Sequence, residues 1–485
     1  MEEFDIATVA RRSIHGVVAL VSRTFIIQII SQIVGLLLTI FLAPSDYGIF
    51  FIVSSVIVFL SYFSDVGLAA ALIQKKENIT EEELKTTFTI QQILVISVVL
   101  IALLSSQAVS SFYDLKNEGI YLYQALIIAF FMSSLKTIPS IILERKLQFK
   151  KLVIPEIVET FSFNIIVLVL AIKGFGVSSF TYAVLVRGIL GLITIYAISP
   201  WRIQVGFSKV AAKRLLSYGI PFQANSLLAL IKDNLLIVYL GKVLPFAQVG
   251  YIGVAQKLAF SPLRLVMDNV IRIMFPSFAR LAHDKNHLKI AVEKSLFAVS
   301  LLIFPSVIGI VILMPHLINI IPKYQKWEPA LLSLTFFAIN AALSSITTPL
   351  TNALNAIGKI KVTLYLMVFW TISTWILTPL AIIYYGFNGV AGVSALISVS
   401  VVAVVIITKK YIEFDALKQI VKPLVASLVM GVILNSIVSV LVLNIFTIFI
   451  TVLFSGIVYF GLLYLMAKAE IKSDIRFVTK QFKKL

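Results

Sequence analysis

One stretch of the sequence places polar and charged side chains at helical spacing within otherwise apolar surroundings, between residues 250 and 281. The row consists of Lys257, Ser261, Arg264, Asp268 and Arg272. Steps of three and four residues put all five side chains on one stripe of an α-helix. A charge at mid-bilayer costs about 2.5 to 3.5 kcal/mol, whereas each Leu or Ile offsets only about 0.3 to 0.6 kcal/mol. We therefore expect this stripe to face protein or water.

The chemistry available to this stripe is the binding of an anionic or polar group. We interpret Lys257 and Arg264 as lining a functional cavity, because charged residues inside membrane spans are usually functional. An alternative is that Arg264 is neutralised by Asp268, four residues further on. Arg272 lies near the expected end of the helix, so its side chain could instead extend to the interface.

The composition identifies the class of protein. Of its 485 residues, 59% are hydrophobic and 13% are charged, and the mean hydropathy is +1.00. These values predict a polytopic α-helical membrane protein. The absence of cysteine excludes disulfides and cysteine-ligated zinc. His283 and His287 are four residues apart but lack a third ligand, so we expect no metal and no cofactor.

Hydrophobic runs of about 20 residues predict about fourteen transmembrane helices. The first eight lie near residues 17–42, 47–73, 86–111, 120–142, 152–172, 177–198, 215–240 and 248–279. The other six lie near residues 291–314, 329–354, 362–385, 390–407, 423–443 and 445–466.

The loops differ in charge from one side to the other. Connections after even-numbered spans are rich in Lys and Arg, whereas the opposite connections carry only Lys116, Lys173, Lys242, Lys323 and Lys326. The positive-inside rule then places both chain ends in the cytoplasm. The same rule accounts for the net charge of +18 without a nucleic-acid partner.

The sequence also contains an internal repeat of about 200 residues. The segment 44–50 resembles the segment 246–252, and Asp65 follows Gly48 at nearly the spacing by which Asp268 follows Gly250. We predict two parallel six-helix bundles, residues 1–205 and 206–410, followed by two extra helices and a basic cytoplasmic tail in residues 411–485. Parallel repeats enclose a cavity that can open alternately to each side.

Further polar residues on the predicted spans complete the candidate cavity. We expect Arg23, Lys232 and Asp233 to face it, and the tenth span adds Asn340 and Thr351, for which ordinary helix packing is an equal alternative. Asp65, Asp268 and Asp233 are the candidates for ion coupling or gating; a structural salt bridge is an equal alternative for Asp65. Lys136 and Arg187 are weaker candidates that could pair within their own bundle, and we interpret Glu156 and Glu159 as mainly interfacial.

Several segments resemble the polysaccharide exporters of the oligosaccharide flippase family, within the multidrug, oligosaccharidyl-lipid and polysaccharide exporter superfamily. They are LAPSDYG at 42–48, FSDVGL at 63–68, ALIQKK at 71–76 and ERKLQF at 144–149. The match is closest to the branch of the colanic acid and teichuronic acid exporters, and it covers most of residues 10–410.

This resemblance implies a flippase of the cell membrane that moves a polyprenyl-pyrophosphate-linked oligosaccharide to the outer leaflet by ion-driven alternating access. It also implies a polysaccharide polymerase and glycosyltransferases as partner enzymes, and we expect a monomer. Arg23, Lys257 and Arg264 would bind the pyrophosphate, because Arg can contact phosphate oxygens through two donors. The alternative is a multidrug or cation antiporter of the same fold, whose cavity should be acidic. No motif of a soluble enzyme is present.

Overall fold

The computed structural model describes residues 27–64, 66–75, 77–441 and 444–482, which are almost entirely helical and contain no strand. The chain forms two compact units, one ending at Gly250 and one beginning at Tyr251. The predicted repeat boundary near residue 205 stays a prediction about the sequence.

The first unit contains eleven helices and the start of a twelfth. They are α1 Ile27–Phe41, α2 Pro44–Tyr62, α3 Leu68–Gln74, α4 Glu81–Leu104, α5 Ser106–Tyr113, α6 Asn117–Leu135, α7 Thr137–Arg145, α8 Phe149–Ile172, α9 Ser178–Ile198, α10 Lys209–Leu230 and α11 Leu236–Val243. A π-helical segment, Ile231–Leu235, joins α10 to α11.

The second unit contains the rest of α12 and seven further helices. The helices are α12 Phe246–Leu281, α13 Lys285–Ile320, α14 Ala330–Ala356, α15 Ile360–Tyr385, α16 Asn388–Ser398, α17 Val401–Lys409, α18 Ala416–Leu441 and α19 Ile445–Phe482. A buried cluster that includes Leu296, Phe304, Leu350 and Val404 joins α13, α14 and α17.

The described residues include eleven helices that are long and apolar enough to cross a membrane. They correspond to the second to sixth and ninth to fourteenth predicted spans, which confirms an all-α polytopic membrane protein. The described part of the first span, α1, is shorter, and the seventh and eighth, α10 to α11 and α12, are not among the eleven. The number fourteen therefore stays a prediction.

The two helices that follow the predicted repeats, α18 and α19, belong to the second unit and pack against α13. The Tyr459 hydroxyl of α19 donates a hydrogen bond to the Leu301 carbonyl of α13 over 2.8 Å. Ala426, Met430, Tyr459 and Leu463 form a buried cluster between α18 and α19, against which Leu301 packs.

Two glycines of the repeat allow the starts of α2 and α12 to cross in contact. A Cβ atom on Gly48 would overlap the carbonyl oxygen of Phe246, and one on Gly250 would overlap that of Pro44. Gly48 therefore meets the carbonyl group of the residue four positions before Gly250, and Gly250 meets that of the residue four positions before Gly48. Such reciprocity is typical of a contact around a two-fold axis.

A buried carboxylate anchors the polar end of α4. The Glu83 side chain is only 2% exposed, and it forms ion pairs with Arg214 of α10 and, at 2.9 Å, with Lys75. Burial, followed by the charge of nearby Arg214, lowers the pKa of Lys75 below its usual value. Glu83 also accepts a hydrogen bond from the backbone N–H of Thr80, whose hydroxyl caps α4 in return.

The segment between α9 and α10 is held against α4. The backbone N–H groups of Gly206 and Ser208 each donate a 3.0 Å hydrogen bond, to the Thr89 and Thr86 hydroxyls. The Trp201 ring packs edge-on against Phe88 at 5.1 Å. This connection is thus fixed to the first unit by hydrogen bonds and aromatic packing.

We expect Gly48→Ala and Gly250→Ala to destabilise the protein by about 1 to 3 kcal/mol, because the added methyl group meets backbone that cannot move cheaply. Thermal unfolding in detergent micelles measures the effect. Gly309→Ala in α13 is the matched control, since no atom lies within 4 Å of its Cβ position. Equal unfolding temperatures for Gly250→Ala and Gly309→Ala would contradict the close crossing.

Glu83→Gln should cost roughly 3 kcal/mol or more of stability, because it removes the charge that two cations share in a buried site. Glutamine can still form the capping box with Thr80, so the loss would report the ion pairs. Glu82→Gln, at an exposed position of the same helical turn, is the control. A similar unfolding temperature for both variants would show that the pairs contribute little.

Candidate functional site

Three charged side chains from consecutive predicted spans meet inside the first unit. The Glu159 carboxylate of α8 forms an ion pair with the Lys136 ammonium, and the Nε atom of Arg187 on α9 lies 3.5 Å from its second oxygen. The Glu159 side chain is 11% exposed and that of Arg187 is 51% exposed. This corrects our interpretation of Glu159 as interfacial and agrees with pairing of Lys136 and Arg187 within their own bundle.

A break between two helices places Lys136. It lies between α6 and α7, and Pro139 in the first turn of α7 has no N–H to donate to the carbonyl of Leu135. The Tyr196 hydroxyl of α9 donates to that carbonyl instead, over 3.1 Å. The proline and its partner therefore fix the point at which the Lys136 side chain leaves the backbone.

A glycine on α9 makes room for the central carboxylate. A Cβ atom on Gly191 would overlap the Oε1 atom of Glu159, and one turn earlier a Cβ on Gly188 would lie 3.0 Å from the Met132 sulfur of α6. The two glycines let α9 approach both α6 and α8. As a result, Glu159 is enclosed by helices that carry its two cationic partners.

The cluster borders a cavity of about 510 Å³ in the first unit. The lining includes three carboxylates, two cations and four hydroxyl side chains. The charged residues are Lys136, Glu144, Glu156, Glu159 and Arg187, and the hydroxyl residues are Ser133, Thr137, Ser140 and Thr160. We call this the first-unit cavity. A polar space of this kind inside an apolar bundle is suited to water or a polar ligand.

The predicted residues Lys232 and Asp233 lie in the π-helical segment. Their side chains form an ion pair with an Nζ to Oδ1 distance of 2.9 Å, and Asp233 is 62% exposed. Single π-helical turns are frequent at functional sites. The charges of Lys232 and Asp233 neutralise each other. That these two residues belong to the substrate cavity stays a prediction.

Lys257 and Arg264 lie seven residues apart on α12, with Pro262 between them. Lys257 is partly buried and Arg264 is exposed. Neither side chain forms an ion pair with a carboxylate in the part of the chain that the structure describes. Two turns of helix separate them by about 10 Å along one stripe, a span that an extended anionic group can bridge.

Asn340 and Thr351 make hydrogen bonds within and between helices. Asn340 donates to the Ser394 hydroxyl of α16 and accepts a 2.6 Å hydrogen bond from Ser344. The Thr351 hydroxyl donates to the Thr348 carbonyl over 3.0 Å. These bonds fit the packing alternative, and contact with a substrate stays a prediction.

The remaining predicted residues are Arg23, Asp65 and Asp268. The first two lie outside the described residues, and Asp268 lies in α12 but its side chain is outside the described part. The ion pair that could join Asp268 to Arg264 is therefore untested.

No group of three or more possible metal-ligating side chains occurs among the described residues. The histidine spacing noted in the sequence instead belongs to a helix start, where Asp284 accepts a 3.1 Å hydrogen bond from the His287 backbone N–H and lies 2.7 Å from its Nδ1 atom. These hydrogen bonds lower the pKa of Asp284 below its usual value.

The first-unit cavity is the feature that the sequence analysis missed. A signal was available: the fourth, fifth and sixth predicted spans carry Lys136, Glu159 and Arg187 inside the span, each in apolar surroundings. Helix–helix contact between consecutive spans could have suggested their pairing.

Comparison with known proteins finds relatives that are named for polysaccharide biosynthesis. It is 23% identical over 363 residues to the lipopolysaccharide biosynthesis protein WzxC of Escherichia coli, covering 72% of this chain and 70% of that protein. It is 23% identical over 311 residues to the teichuronic acid biosynthesis protein TuaB of Bacillus subtilis, covering 64% of each chain. The resemblance in the sequence motifs is thus confirmed.

Solved structures share the fold. The lipid II flippase MurJ in an inward closed conformation superposes with a TM-score of 0.74 at 17% identity, covering 93% of this chain and 99% of that one. An inward-facing multidrug resistance MATE transporter superposes with a TM-score of 0.65 at 15% identity, covering 81% and 97%. A family model described as "Polysaccharide biosynthesis protein" matches residues 37–332. Because this match spans more than half of the chain, the protein belongs to that polysaccharide biosynthesis family.

Proposed function

We propose that the protein is a flippase that moves a polyprenyl-pyrophosphate-linked oligosaccharide from the cytoplasmic to the outer leaflet. The observation that carries this proposal is the pair Lys257 and Arg264, two cations on one helix stripe with no ion pair to a described carboxylate. Cations without a described carboxylate partner in a membrane protein favour an anionic ligand. Membership of the polysaccharide biosynthesis family supports a lipid-linked sugar as the larger molecule.

Such a substrate has three parts with different requirements. Its pyrophosphate needs cations, its sugars need a wet polar cavity, and its long apolar tail must stay in lipid. Arg264 can engage two phosphate oxygens through its planar guanidinium, and Lys257 acts as a point charge. In this proposal the outward-directed step is driven by a proton or sodium gradient.

We propose that the carboxylates Asp65, Asp268 and Asp233 couple the ion gradient to transport. Asp233 is 2.9 Å from the Lys232 ammonium, so its ion pair would exchange as the protein changes conformation. The reciprocal glycine contact between α2 and α12 offers a close, stiff crossing about which repeat-related segments could rock. Alternating access through parallel repeats requires such a fixed contact.

A multidrug or cation antiporter is the second candidate, and two observations favour it. The MATE transporter shares the fold, and the first-unit cavity has one more carboxylate than cation. The polysaccharide relatives and the cations of α12 favour the flippase. A transporter, not an enzyme, is the common element of both proposals.

The proposal also covers location and partners. We place the protein in the cell membrane with both ends in the cytoplasm, as a monomer that supplies flipped lipid-linked sugar to a polymerase and receives it from glycosyltransferases. Eleven helices able to cross a membrane support the multi-pass arrangement.

We expect Lys257→Ala and Arg264→Ala to reduce flipping of a polyprenyl-pyrophosphate oligosaccharide roughly 10- to 100-fold, the effect of losing a charge-assisted hydrogen bond. Proteoliposomes with an imposed proton or sodium gradient provide the measurement. Arg264→Lys should retain part of the activity, and Lys173→Ala, at the exposed end of α8, should retain all of it. Gradient-driven efflux of a cationic dye, with no flipping by the wild type, would favour the antiporter.

The absence of cysteine makes the topology directly measurable. A single cysteine at Lys410, after α17, should be protected from a membrane-impermeant maleimide in intact cells, because the positive-inside rule places it in the cytoplasm. A single cysteine at Lys173, after α8, should be labelled. Both positions are exposed loop lysines, so the two differ mainly in the side of the membrane on which they are expected to lie. The opposite pattern would invert the topology.

A further inference from the structure

The first-unit cavity is too large for a coupling ion and has the size of a small-molecule site. Its volume of about 510 Å³ lies within the range of ligand pockets, roughly 300 to 1,000 Å³. A bound proton occupies no such space, and a metal ion would need few of its lining groups. The volume instead suits a polar group the size of one or two sugar rings.

The charge of the cavity is unfavourable for the pyrophosphate. Its lining contains three carboxylates against two cations, and both cations already contact Glu159. A multiply charged anion would have to displace Glu159 from these cations and approach the Glu144 carboxylate. An uncharged ligand meets no such repulsion.

The hydrogen-bonding groups of the lining match those of a carbohydrate. Sugar hydroxyls both donate and accept, carboxylates accept, guanidinium donates, and Ser and Thr do both. Arg187 contacts Glu159 through Nε, and its other N–H groups have no hydrogen bond to a described residue. These groups and the Glu144 carboxylate both line the cavity and can therefore serve a ligand.

The cavity begins at the end of the bundle where the predicted cytoplasmic loop lies. Its lining on α8 runs from Leu152 to Thr160, a rise of about 12 Å from near the start of the helix. The loop before α8 contains Lys146, Lys150 and Lys151. Glu159 lies near the inner end of this stretch, so a ligand entering from the loop side would meet the ion cluster there.

We propose that the first-unit cavity binds the uncharged, hydroxyl-rich sugar residues of the lipid-linked substrate when it is loaded from the cytoplasmic side. This inference rests on the proposed function. Within this cavity, Glu144, Ser140 and Arg187 contact the sugar. Glu159 and Lys136 are positioning residues that hold Arg187 and the inner end of the cavity.

The test compares two probes that share a lipid. The purified full-length protein in nanodiscs is titrated with undecaprenyl pyrophosphate, either bare or carrying oligosaccharides of glucose, galactose or N-acetylglucosamine. The soluble oligosaccharides form a third arm. We expect at least one sugar-bearing lipid to bind the wild type about tenfold more tightly than the bare lipid, the gain from one or two net hydrogen bonds.

Ser140→Leu fills the cavity, and Arg187→Gln removes the charge and most of the donors at its inner end. Each should abolish the gain from the sugar while leaving affinity for the bare lipid within about twofold. Ser97→Leu, at an exposed position of α4 outside the cavity lining, is the matched control and should retain the gain. Affinity for the bare lipid also reports whether a variant is folded. If Ser140→Leu no longer binds the bare lipid, Ser133→Leu replaces it, because Ser133 lines the same cavity.

Each outcome decides between the two proposals. Equal wild-type affinity for bare and sugar-bearing lipids, or an unchanged gain in both cavity variants, overturns the sugar site but not the flippase. Lys257→Ala should weaken both kinds of lipid equally. No binding of any lipid by the wild type overturns the proposed function itself. Tight binding of the soluble oligosaccharides alone would identify a free sugar as the ligand and contradict the loading site.

Discussion

The free energy of a charge inside a bilayer is the constraint on which this structure depends. Glu83 and Glu159 show how the chain meets it: each carboxylate is buried and shared by two cations from other segments. Such sharing keeps the ions but requires exact partners. Lys257 and Arg264 form no ion pair with a described carboxylate, and we propose that they bind an anionic ligand. Function can therefore be sought where pairing is incomplete.

Backbone irregularities place these charges. Pro139 interrupts the helical hydrogen bonds next to Lys136, and the Tyr196 hydroxyl takes over the freed carbonyl. Gly191 leaves the space that the Glu159 carboxylate occupies, and Gly48 and Gly250 allow two helix starts to touch. The glycines permit close approaches that a side chain would prevent, and the proline leaves a carbonyl group for a partner from another helix.

The distribution of charge suggests how one transporter could recognise a chemically divided substrate. The α12 stripe offers cations spaced along a helix, which suits phosphate oxygens. The first-unit cavity offers a nearly balanced set of donors and acceptors, which suits hydroxyl groups. A shared fold with MATE transporters then need not imply a shared substrate, because the side chains of the site, not the fold, determine what binds.

The sequence by itself determined the class of protein, most of the helices, the repeat and the family, because hydropathy over 20 residues and recurring local motifs are properties of contiguous sequence. It also identified Lys257 and Arg264, whose spacing is local to one helix. Only the tertiary structure decided that Glu159 is a buried hub and that a polar cavity lies beside Arg187. Those facts depend on contacts between different helices, and the periodicity of a single span contains no information about which side chain of another helix it will meet.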